Sequence, residues 1–273
     1  MISCGSCRNR NGTICDVSRL QHDTRVWHIR NRNAGSGVTR KTADVLQAFA
    51  EAADSASYAS KIKLILPMVG TNLLSARLPY RDSVNAGHVQ NVSSNFVDAD
   101  FSENTGLQGN GAGKVLWCNG YDLGALSGTT NGGFGFWETN ISLVSPGHCY
   151  GARSASLFTC YLDYPTPRIL IYWGTGNKNY AGLVPGNNHY YIQFTTSGGM
   201  RFFINGALYD TDGTNNFQNS GHFHICGIDG SFTGPTRCGL YYLTNGALTD
   251  ADVANWHEIL KHKLILATGK LPP

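Results

Sequence analysis

Short apolar runs separated by turn-forming residues dominate the chain from about residue 84 onward, at the spacing of roughly ten residues that is typical of all-β proteins. Aromatic and β-branched residues are frequent in these runs, and they suit a pleated, half-buried surface. We predict strands at residues 89–97, 113–118, 133–143, 155–162, 168–173, 189–195, 200–204, 222–228 and 238–243. About nine strands with this spacing favour a sandwich of two packed sheets.

The pattern is clearest toward the C-terminus. Residues 202–204 form an apolar strand, and Asn205-Gly206 can supply the two positive φ angles of a tight hairpin turn into a second strand. Asn245-Gly246 repeats this turn signal after the strand at residues 238–243. The sequence therefore predicts a hairpin and, further along, a last strand that ends in another turn.

An amphipathic helix is predicted over residues 249–267. Thr249 is placed to act as the N-cap residue, with Asp252 at the third helical position as in a capping box. Residues at helical spacing then form one stripe that we expect to be buried. The stripe consists of Val253, Trp256, Ile259, Leu260 and Lys263.

The first 82 residues show a different pattern. Residues 1–40 are polar, basic and rich in Gly and Asn, and we predict an extended arm with one strand at residues 25–30. Thr39 or Thr42 can cap a helix that continues to Ala56, and a strand and a helical turn follow at residues 61–68 and 72–78. The predicted division of the chain is an arm (1–41), a small helix and strand preamble (42–82) and a sandwich with its closing helix (83–273).

Short motifs connect this pattern with a known fold. The segments INGAL at residues 204–208 and GALTDADV at residues 246–253 resemble the closing section of the laminin-G-like, concanavalin A-like jelly roll, and residues 103–111 resemble its opening turn. The resemblance implies a mainly β, two-sheet jelly-roll sandwich. A helical preamble joined to such a sandwich also resembles virion-associated proteins of tailed phages, including tail, fibre and head-decoration proteins. These motifs describe architecture and imply no particular activity.

Charge is distributed unevenly along the chain. The formal net charge of the 273 residues is +3 at pH 7, but residues 1–41 hold eight basic and two acidic residues, a net charge of +6. A basic arm on a mildly acidic body suits docking against an acidic protein surface, and a solvated arm that keeps the protein soluble is the alternative. Nucleic acid is less favoured because Trp27 is the only aromatic residue among the arginines. The candidate anchoring residues are Arg8, Arg10, Arg19, Arg25, Arg30 and Arg32.

The sequence shows no pattern typical of a membrane span or a signal peptide. No run approaches the roughly 18 apolar residues of a membrane span, and the first residues do not resemble a signal peptide. We expect no membrane association. Release inside a virus particle would reconcile a fold typical of extracellular proteins with the missing signal.

Seven of the eight cysteines fall into two groups, and Cys149 belongs to neither. The first group lies in or beside apolar strands, where buried free thiols are common, and consists of Cys118, Cys160, Cys226 and Cys238. The second group lies in the arm and consists of Cys4, Cys7 and Cys15. With His22 or His28 these arm cysteines could form a zinc site, while a local disulfide and free thiols are the alternatives.

Catalytic carboxylates in the usual arrangement are missing. Jelly-roll glucanases place two glutamates on one strand so that both flank the scissile bond. Here only Glu138 falls on a predicted strand, and no acidic residue lies within four positions of it. We therefore predict that the protein is not an enzyme and interpret Glu138 as a paired or solvent-facing strand residue.

Two polar segments are candidate binding sites. A predicted loop combines aromatic and amide side chains, as sugar-binding sites do, although strand aromatics more often pack within sheets; its candidates are Trp173, Asn177 and Tyr180. A second segment places oxygen ligands close together, as calcium loops do, although such residues also form ordinary turns. Its candidates are Asp210, Asp212 and Asn215.

These features favour a non-enzymatic virion structural protein, such as a capsid decoration or cement protein, a head fibre or a tail-associated protein. The arm would bind capsid or tail proteins within a homo-oligomer or larger assembly, and the sandwich would be displayed on the particle surface. The second hypothesis is a carbohydrate-binding adhesion module that recognises a cell-surface glycan. The third is a glycan hydrolase or lyase with an unrecognised site.

Overall fold

The structure of the protein is a computed structural model that describes residues 22–82, 92–109, 113–122, 131–141, 148–153, 157–163, 168–174, 176–183, 186–195, 199–213, 222–227 and 236–270. Its helices are α1 His22–Asn33, α2 Arg40–Asp54, α3 Leu73–Ala76 and α4 Asp250–Leu260, which continues as a π-helical turn over Lys261–Ile265. Its strands are β1 Ile62–Leu66, β2 Arg81–Asp82, β3 Val92–Ser94, β4 Phe101–Ser102, β5 Gly106–Gln108, β6 Val115–Asp122, β7 Asn131–Ile141, β8 His148–Arg153, β9 Leu157–Asp163, β10 Arg168–Gly174, β11 Gly176–Ala181, β12 His189–Thr195, β13 Gly199–Ile204, β14 Ala207–Asp212, β15 His222–Ile225 and β16 Thr236–Thr244.

Two antiparallel sheets form the body of the molecule. In the larger sheet the strands follow the order β14-β13-β12-β7-β16-β1-β2, and the short strands β4 and β5 attach to it through β16. The second sheet has the order β11-β10-β9-β8-β15-β6-β3. The mainly β, two-sheet sandwich expected from the sequence is therefore confirmed.

Alternating side chains place the main core between the two sheets. In β10, Ile171 and Trp173 are buried in this core, whereas Tyr172 between them is only partly buried and lies on the opposite face. Across the core, the ring of Phe136 on β7 stacks on Tyr150 of β8 with 3.8 Å between the centroids. The two sheets are thus held together by large aromatic contacts.

A layer of helices covers the outer face of the larger sheet. Phe49 of α2 and Tyr242 of β16 both contact the ring of Trp256 in α4, at centroid distances of 5.8 and 5.7 Å. Both predicted helices start at a predicted cap, since Thr39 accepts a hydrogen bond from an N–H in the first turn of α2 and Thr249 does so for α4. No helix among the described residues combines the length and apolar composition that crossing a membrane requires.

The buried stripe of α4 agrees with the sequence prediction except at its end. Val253, Trp256 and Leu260 are buried as predicted and Ile259 is partly buried, but Lys263 is exposed. The reason is the π-helical turn that follows α4, because its wider winding changes which residues face the sheet. Leu264 and Ile265 are buried there instead.

Helix α1 corrects the expectation of a strand at residues 25–30 within an extended arm, while residues 1–21 of that arm lie outside the described residues. Residues 22–33 are helical, and one face of this helix is buried at the spacing i, i+3, i+4, i+7 by Thr24, Trp27, His28 and Asn31. Three of these four side chains are polar, so no apolar stripe in the sequence reveals the helix. The Trp27 Nε1–H donates to the Leu78 carbonyl oxygen at 3.1 Å, which fastens α1 to the body.

Strand β1 belongs to the larger sheet. Its Ile65 pairs with Tyr242 of β16 on one side and with Arg81 of β2 on the other. The strand and the helical turn predicted for this part of the chain are confirmed as β1 and α3. The proposed domain boundaries stay predictions, and these pairs show that residues on both sides of residue 82 share one sheet.

The predicted hairpin at Asn205-Gly206 and the predicted loop after residue 173 have different outcomes. Asn205 and Gly206 connect β13 and β14 as predicted, with φ angles of 51° and 83°. The segment predicted as a loop after residue 173 is instead strand β11, which pairs with β10 along its whole length. The polar sequence of β11 does not predict a strand. Polar and charged residues are common here because β11 lies at the edge of its sheet.

The four cysteines expected to be buried thiols are buried and free, namely Cys118, Cys160, Cys226 and Cys238. Burial raises the pKa of the Cys226 thiol, so this thiol stays protonated and unreactive. The zinc candidates Cys4, Cys7 and Cys15 lie outside the described residues, and both the zinc site and the disulfide stay predictions.

Two buried histidines join α4 to the larger sheet. His189 Nδ1 and His257 Nδ1 lie 3.3 Å apart, and His189 Nε2 lies 2.8 Å from the hydroxyl oxygen of Tyr242. The ring of Trp137 stacks on His257 with 5.2 Å between the centroids. Burial lowers the pKa of both imidazoles below the ordinary value of 6.5, and for His189 the neighbouring His257 lowers it further.

We expect the free energy of unfolding to decrease as the pH falls below about 6.5. A histidine with a lowered pKa is neutral in the fold but binds a proton more readily when unfolded. Its stabilisation is therefore complete above the unfolded-state pKa and is lost as the pH falls toward the folded-state pKa. Urea unfolding at about pH 8 and about pH 5.5 measures the loss.

The variant His257→Gln should lose less stability over this interval than the parent protein. Ala251→Gln is the matched control, because Ala251 is an exposed, uncharged residue of the same helix and its replacement should leave the pH dependence unchanged. An undiminished loss in His257→Gln would show that the buried pair does not cause it.

Candidate functional site

A corner of the sandwich is formed where the edge strands β11 and β14 meet. Each is the outermost strand of its sheet at this end of the described fold. Five side chains from the two strands lie close together here, and we call them the β11–β14 corner: Lys178, Tyr180, Tyr209, Asp210 and Asp212.

One carboxylate links the two strands. Asp210 Oδ2 accepts hydrogen bonds from Lys178 Nζ at 2.6 Å and from the Tyr180 hydroxyl at 2.9 Å. Lys178 Nζ also donates to the Thr211 carbonyl oxygen at 2.9 Å and lies 3.7 Å from Asp212 Oδ2. These contacts connect the edge of one sheet to the edge of the other.

The side chains on β11 alternate between the two faces of its sheet. Lys178 and Tyr180 pair with Ile171 and Ile169, whose side chains are buried between the sheets, so they point toward β14. Asn177 directly precedes Lys178, so it lies on the opposite face of β11, where it is exposed. Strand β11 thus offers a charged and phenolic side at the corner and an amide side away from it.

A β-bulge in β14 determines the position of Tyr209. Phe202 pairs with Asp210 and Phe203 pairs with Leu208, so the residue between them, Tyr209, has no partner on β13. A bulge interrupts the alternation of side chains and redirects the extra residue. Tyr209 and Asp210 consequently both reach the side of β14 that faces Tyr180.

The Tyr209 ring is supported from behind and open in front. It makes edge-to-face contacts with Tyr180 and Phe202 at centroid distances of 5.5 and 5.7 Å. Its side chain is nevertheless 50% exposed. Because its position is fixed by these contacts, little conformational freedom remains to be lost when a ligand binds.

Electrostatics keep the central carboxylate ionised. Burial alone would raise the pKa of Asp210, but the hydrogen bonds from Lys178, Tyr180 and the Thr211 N–H outweigh it and lower the pKa below 3.8. The pKa of Tyr180 is raised, first by burial and then by its hydrogen bond to this carboxylate. The corner therefore presents an anionic acceptor, a cationic donor and a neutral phenol near neutral pH.

The three predicted sugar-binding residues do not lie together in the structure. Trp173 is 2% exposed and belongs to the core, so its ring is not available to stack on a sugar. Tyr180 is partly buried and bonded to Asp210, and Asn177 is exposed on the other face of β11. Only Tyr180 of the three reaches the corner.

The predicted calcium ligands lie partly at the same corner. Lys178 Nζ lies 2.6 Å from Asp210 Oδ2 and 3.7 Å from Asp212 Oδ2, so an ammonium group already pairs with both carboxylates and offsets one of their two charges. Asn215 lies outside the described residues. No cluster of three or more His, Cys, Asp or Glu side chains that could bind a metal occurs in the described ranges. Calcium binding stays a prediction.

Glu138 is a fully buried residue of the sandwich. Its Oε2 accepts a hydrogen bond from the Tyr150 hydroxyl at 2.6 Å, and its Oε1 accepts one from the Arg237 backbone N–H at 2.9 Å. The residue is paired rather than solvent-facing, and its carboxylate is tied to both sheets. In this position it supports packing and does not face a substrate surface.

The predicted anchoring residues divide between described and undescribed parts of the chain. Arg25, Arg30 and Arg32 lie on α1, where Arg30 donates to the Pro79 carbonyl oxygen at 3.1 Å and Arg32 is exposed. The other three, Arg8, Arg10 and Arg19, lie outside the described residues. Anchoring to a partner stays a prediction.

Sequence reasoning did not identify Tyr209 and Lys178 as site residues. Lys178 stood within the predicted sugar loop, but its role depends on the contact with Asp210, which is 32 positions further along the chain. Tyr209 follows a recognised hairpin turn, but nothing in the sequence indicates the bulge that exposes its ring.

Comparisons with known proteins identify the fold and no family. No protein-family model matches the sequence, and no curated protein matches it either. Among solved structures the chain is similar to Trypanosoma rangeli sialidase in complex with sialic acid, with a TM-score of 0.55, 12% identity and coverage of 81% of this chain and 39% of that chain. A mutant of this sialidase displaying trans-sialidase activity gives the same values.

A third similarity is to a botulinum neurotoxin type C structure described as dependent on two ganglioside molecules for cell entry. Its TM-score is 0.42 with 14% identity, over 56% of this chain and 42% of that chain, which is too low to carry an argument. The chain spans 39% of the length of the sialidases it matches. At these identities the likeness concerns the fold alone, and it agrees with a jelly-roll-like β-sandwich.

Proposed function

We propose that this protein is a non-catalytic carbohydrate-binding module whose site is the β11–β14 corner. The observation that carries the proposal is the Tyr209 ring, which is half exposed and braced by two aromatic rings directly beside a charged network. Sugar-binding sites combine an exposed aromatic face with a few well-placed polar groups, and this corner has both.

Each group at the corner has a role in such a complex. The Tyr209 face would pack against the apolar C–H face of a sugar ring. The carboxylates of Asp210 and Asp212 would accept hydrogen bonds from sugar hydroxyls, and the Lys178 ammonium would donate them. Because Lys178 and Asp210 already hold each other in place, these polar groups need little reorganisation on binding.

Binding without catalysis is supported by the state of the carboxylates. A general acid for glycoside cleavage needs a raised pKa, whereas the pKa of Asp210 is lowered. Glu138, the only glutamate on a strand predicted from the sequence, is buried and bonded on both oxygens. The sugar named with the sialidase belongs to that protein and adds only that a similar fold occurs in a carbohydrate-active protein.

The proposal is tested by screening the full chain on a glycan array and titrating the glycans that bind. Replacing Tyr209 with Ala should weaken binding by about tenfold or more, as expected for an aromatic residue at the centre of a site. Tyr209→Phe keeps the ring and should retain most of the affinity. Leu208→Ala is the matched control, since Leu208 is the adjacent residue, is 40% exposed and pairs on the other side of the bulge.

Three results would contradict the proposal. The first is that no glycan on the array binds the protein. The second is that the Tyr209→Ala variant binds as well as the parent, and the third is that Leu208→Ala weakens binding as much as Tyr209→Ala. Cleavage of a bound glycan would contradict the non-catalytic part alone. Display on a virus particle stays a prediction, because half of its proposed anchoring residues lie outside the described part of the chain.

A further inference from the structure

The helical layer contains a groove whose lining includes no residue of the β11–β14 corner. It runs between α2 and the π-helical turn that follows α4, and its volume is about 600 Å³. Buried side chains beneath it, including Leu46 and Phe49 of α2 and Leu264 of the turn, hold its two walls together. The groove is therefore a fixed feature of the packed helices.

The floor of the groove is apolar. Val45 and Ala48 of α2 and Ala267 after the π-helical turn line it, and none of the three is fully buried. Such a short apolar stripe suits contact with one face of a single helix.

The rim of the groove is predominantly basic. Arg40 and Lys41 lie on one side, and His262 and Lys263 lie on the other. His262 Nε2 already lies 3.1 Å from Glu258 Oε2, so Lys263 is the cation that this second side offers to a partner. Asp44 is the acidic residue in the lining, and it is 3.5 Å from Arg40 in an i,i+4 ion pair. Within the part of the chain that the structure describes, neither Lys41 nor Lys263 makes an ion pair.

The position of two of these charges is locally unfavourable. Arg40 and Lys41 occupy the first turn of α2, which contains no acidic residue. The N-terminus of a helix carries a partial positive charge, so cations there repel the helix dipole and anions would relieve the repulsion. The N-terminus of α2 thus favours carboxylates, and Glu103 already provides one there, because its Oε1 accepts a hydrogen bond from the Thr42 hydroxyl.

We infer that this groove binds an acidic amphipathic segment of a partner protein. Apolar side chains of the segment would pack on Val45, Ala48 and Ala267, and its carboxylates would pair with Lys41 and Lys263. A nucleic acid fits less well, because a phosphate backbone gains nothing from an apolar floor and requires a longer track of cations. This binding is independent of the proposed sugar site.

The test uses the full chain and a fluorescent synthetic peptide of leucine and glutamate, in which the leucines form one helical face. Fluorescence anisotropy compares it with a polyglutamate peptide, a leucine and lysine peptide of the same pattern, and a single-stranded oligonucleotide. We expect binding of the leucine and glutamate peptide to be the tightest. It should weaken as salt is raised, because the ion pairs are at the surface.

Two variants separate charge from apolar fit. Reversing both cations in Lys41→Glu, Lys263→Glu should weaken peptide binding by about tenfold or more. Ala48→Arg places a bulky cation on the floor and should also weaken binding, although it adds positive charge. Arg32→Glu is the control, because Arg32 is exposed on α1 outside the groove and its reversal should leave affinity unchanged. Thermal unfolding checks that each variant is folded.

The inference is overturned if polyglutamate or the oligonucleotide binds as tightly as the amphipathic peptide, since the apolar floor then has no role. It is also overturned if the double charge reversal binds like the parent, or if Arg32→Glu weakens binding equally. Each of these outcomes can occur with an intact sugar site, so failure here and failure of the proposed function are distinguishable.

Discussion

Replacing Trp27 with Ala should lower the free energy of unfolding by about 3–5 kcal/mol, the usual range for removing a large buried aromatic side chain. The Trp27 side chain is 0% exposed and belongs to the buried cluster of the helical layer, which also includes residues of α2, α4 and β1. Its indole N–H donates to the Leu78 carbonyl oxygen, so the variant loses a hydrogen bond as well as packing. The three other buried residues of α1 are polar and cannot replace this contact.

Urea unfolding followed by tryptophan fluorescence or circular dichroism measures the effect. The control is Arg32→Ala, an exposed position on the same helix, for which a change within about 0.5 kcal/mol is expected. A loss below about 1 kcal/mol for Trp27→Ala would mean that α1 contributes little to the folded body. The same result would restore the interpretation of this segment as a loosely attached arm.

Replacing Glu138 with Ala should lower the free energy of unfolding by about 3 kcal/mol or more. The substitution leaves the Tyr150 hydroxyl and the Arg237 N–H without their acceptor inside a core that is closed to water. Each buried polar group that loses its partner costs about 1–3 kcal/mol. Removal of the side chain also opens a cavity between the sheets.

A double-mutant cycle isolates the Glu138–Tyr150 pair. Glu138→Gln keeps the shape and Tyr150→Phe removes only the hydroxyl, and the coupling between them should be positive and about 1 kcal/mol or more. Additive effects would show that the hydrogen bond at 2.6 Å contributes no stability of its own. Glycan binding should be unchanged in folded Glu138→Gln, because the residue does not lie at the β11–β14 corner. Reduced glycan binding in that variant would contradict its structural role.

Local signals were sufficient where neighbouring residues determine the structure. The Asn205-Gly206 hairpin, the caps at Thr39 and Thr249 and the buried stripe as far as Leu260 all follow from residues within one or two turns. The prediction failed at α1, because its buried face is mostly polar and becomes recognisable only when Tyr80 and Leu78 provide partners.

The candidate site was predicted in part. Composition directed attention to residues 173–180 and 210–215, and the structure brings Tyr180 and Asp210 from these two segments into contact. Composition could not tell which aromatic ring is exposed, because adjacent strand residues face opposite sides. Trp173 points into the core, while Tyr209 is exposed through a bulge whose position depends on how β14 pairs with β13.

The sequence by itself determined that this chain folds mainly into strands and where its tight turn and helix caps lie, and it shows that the closely spaced glutamate pair of jelly-roll glucanases does not occur in it. Periodicity and capping are local properties, so they can be interpreted from the chain alone. Only the tertiary structure decided that α1 is a packed helix, that β11 is an edge strand and that Tyr209 stands beside Lys178 and Asp210. These features depend on contacts between residues far apart in sequence, and such contacts exist only after the two sheets have closed against each other.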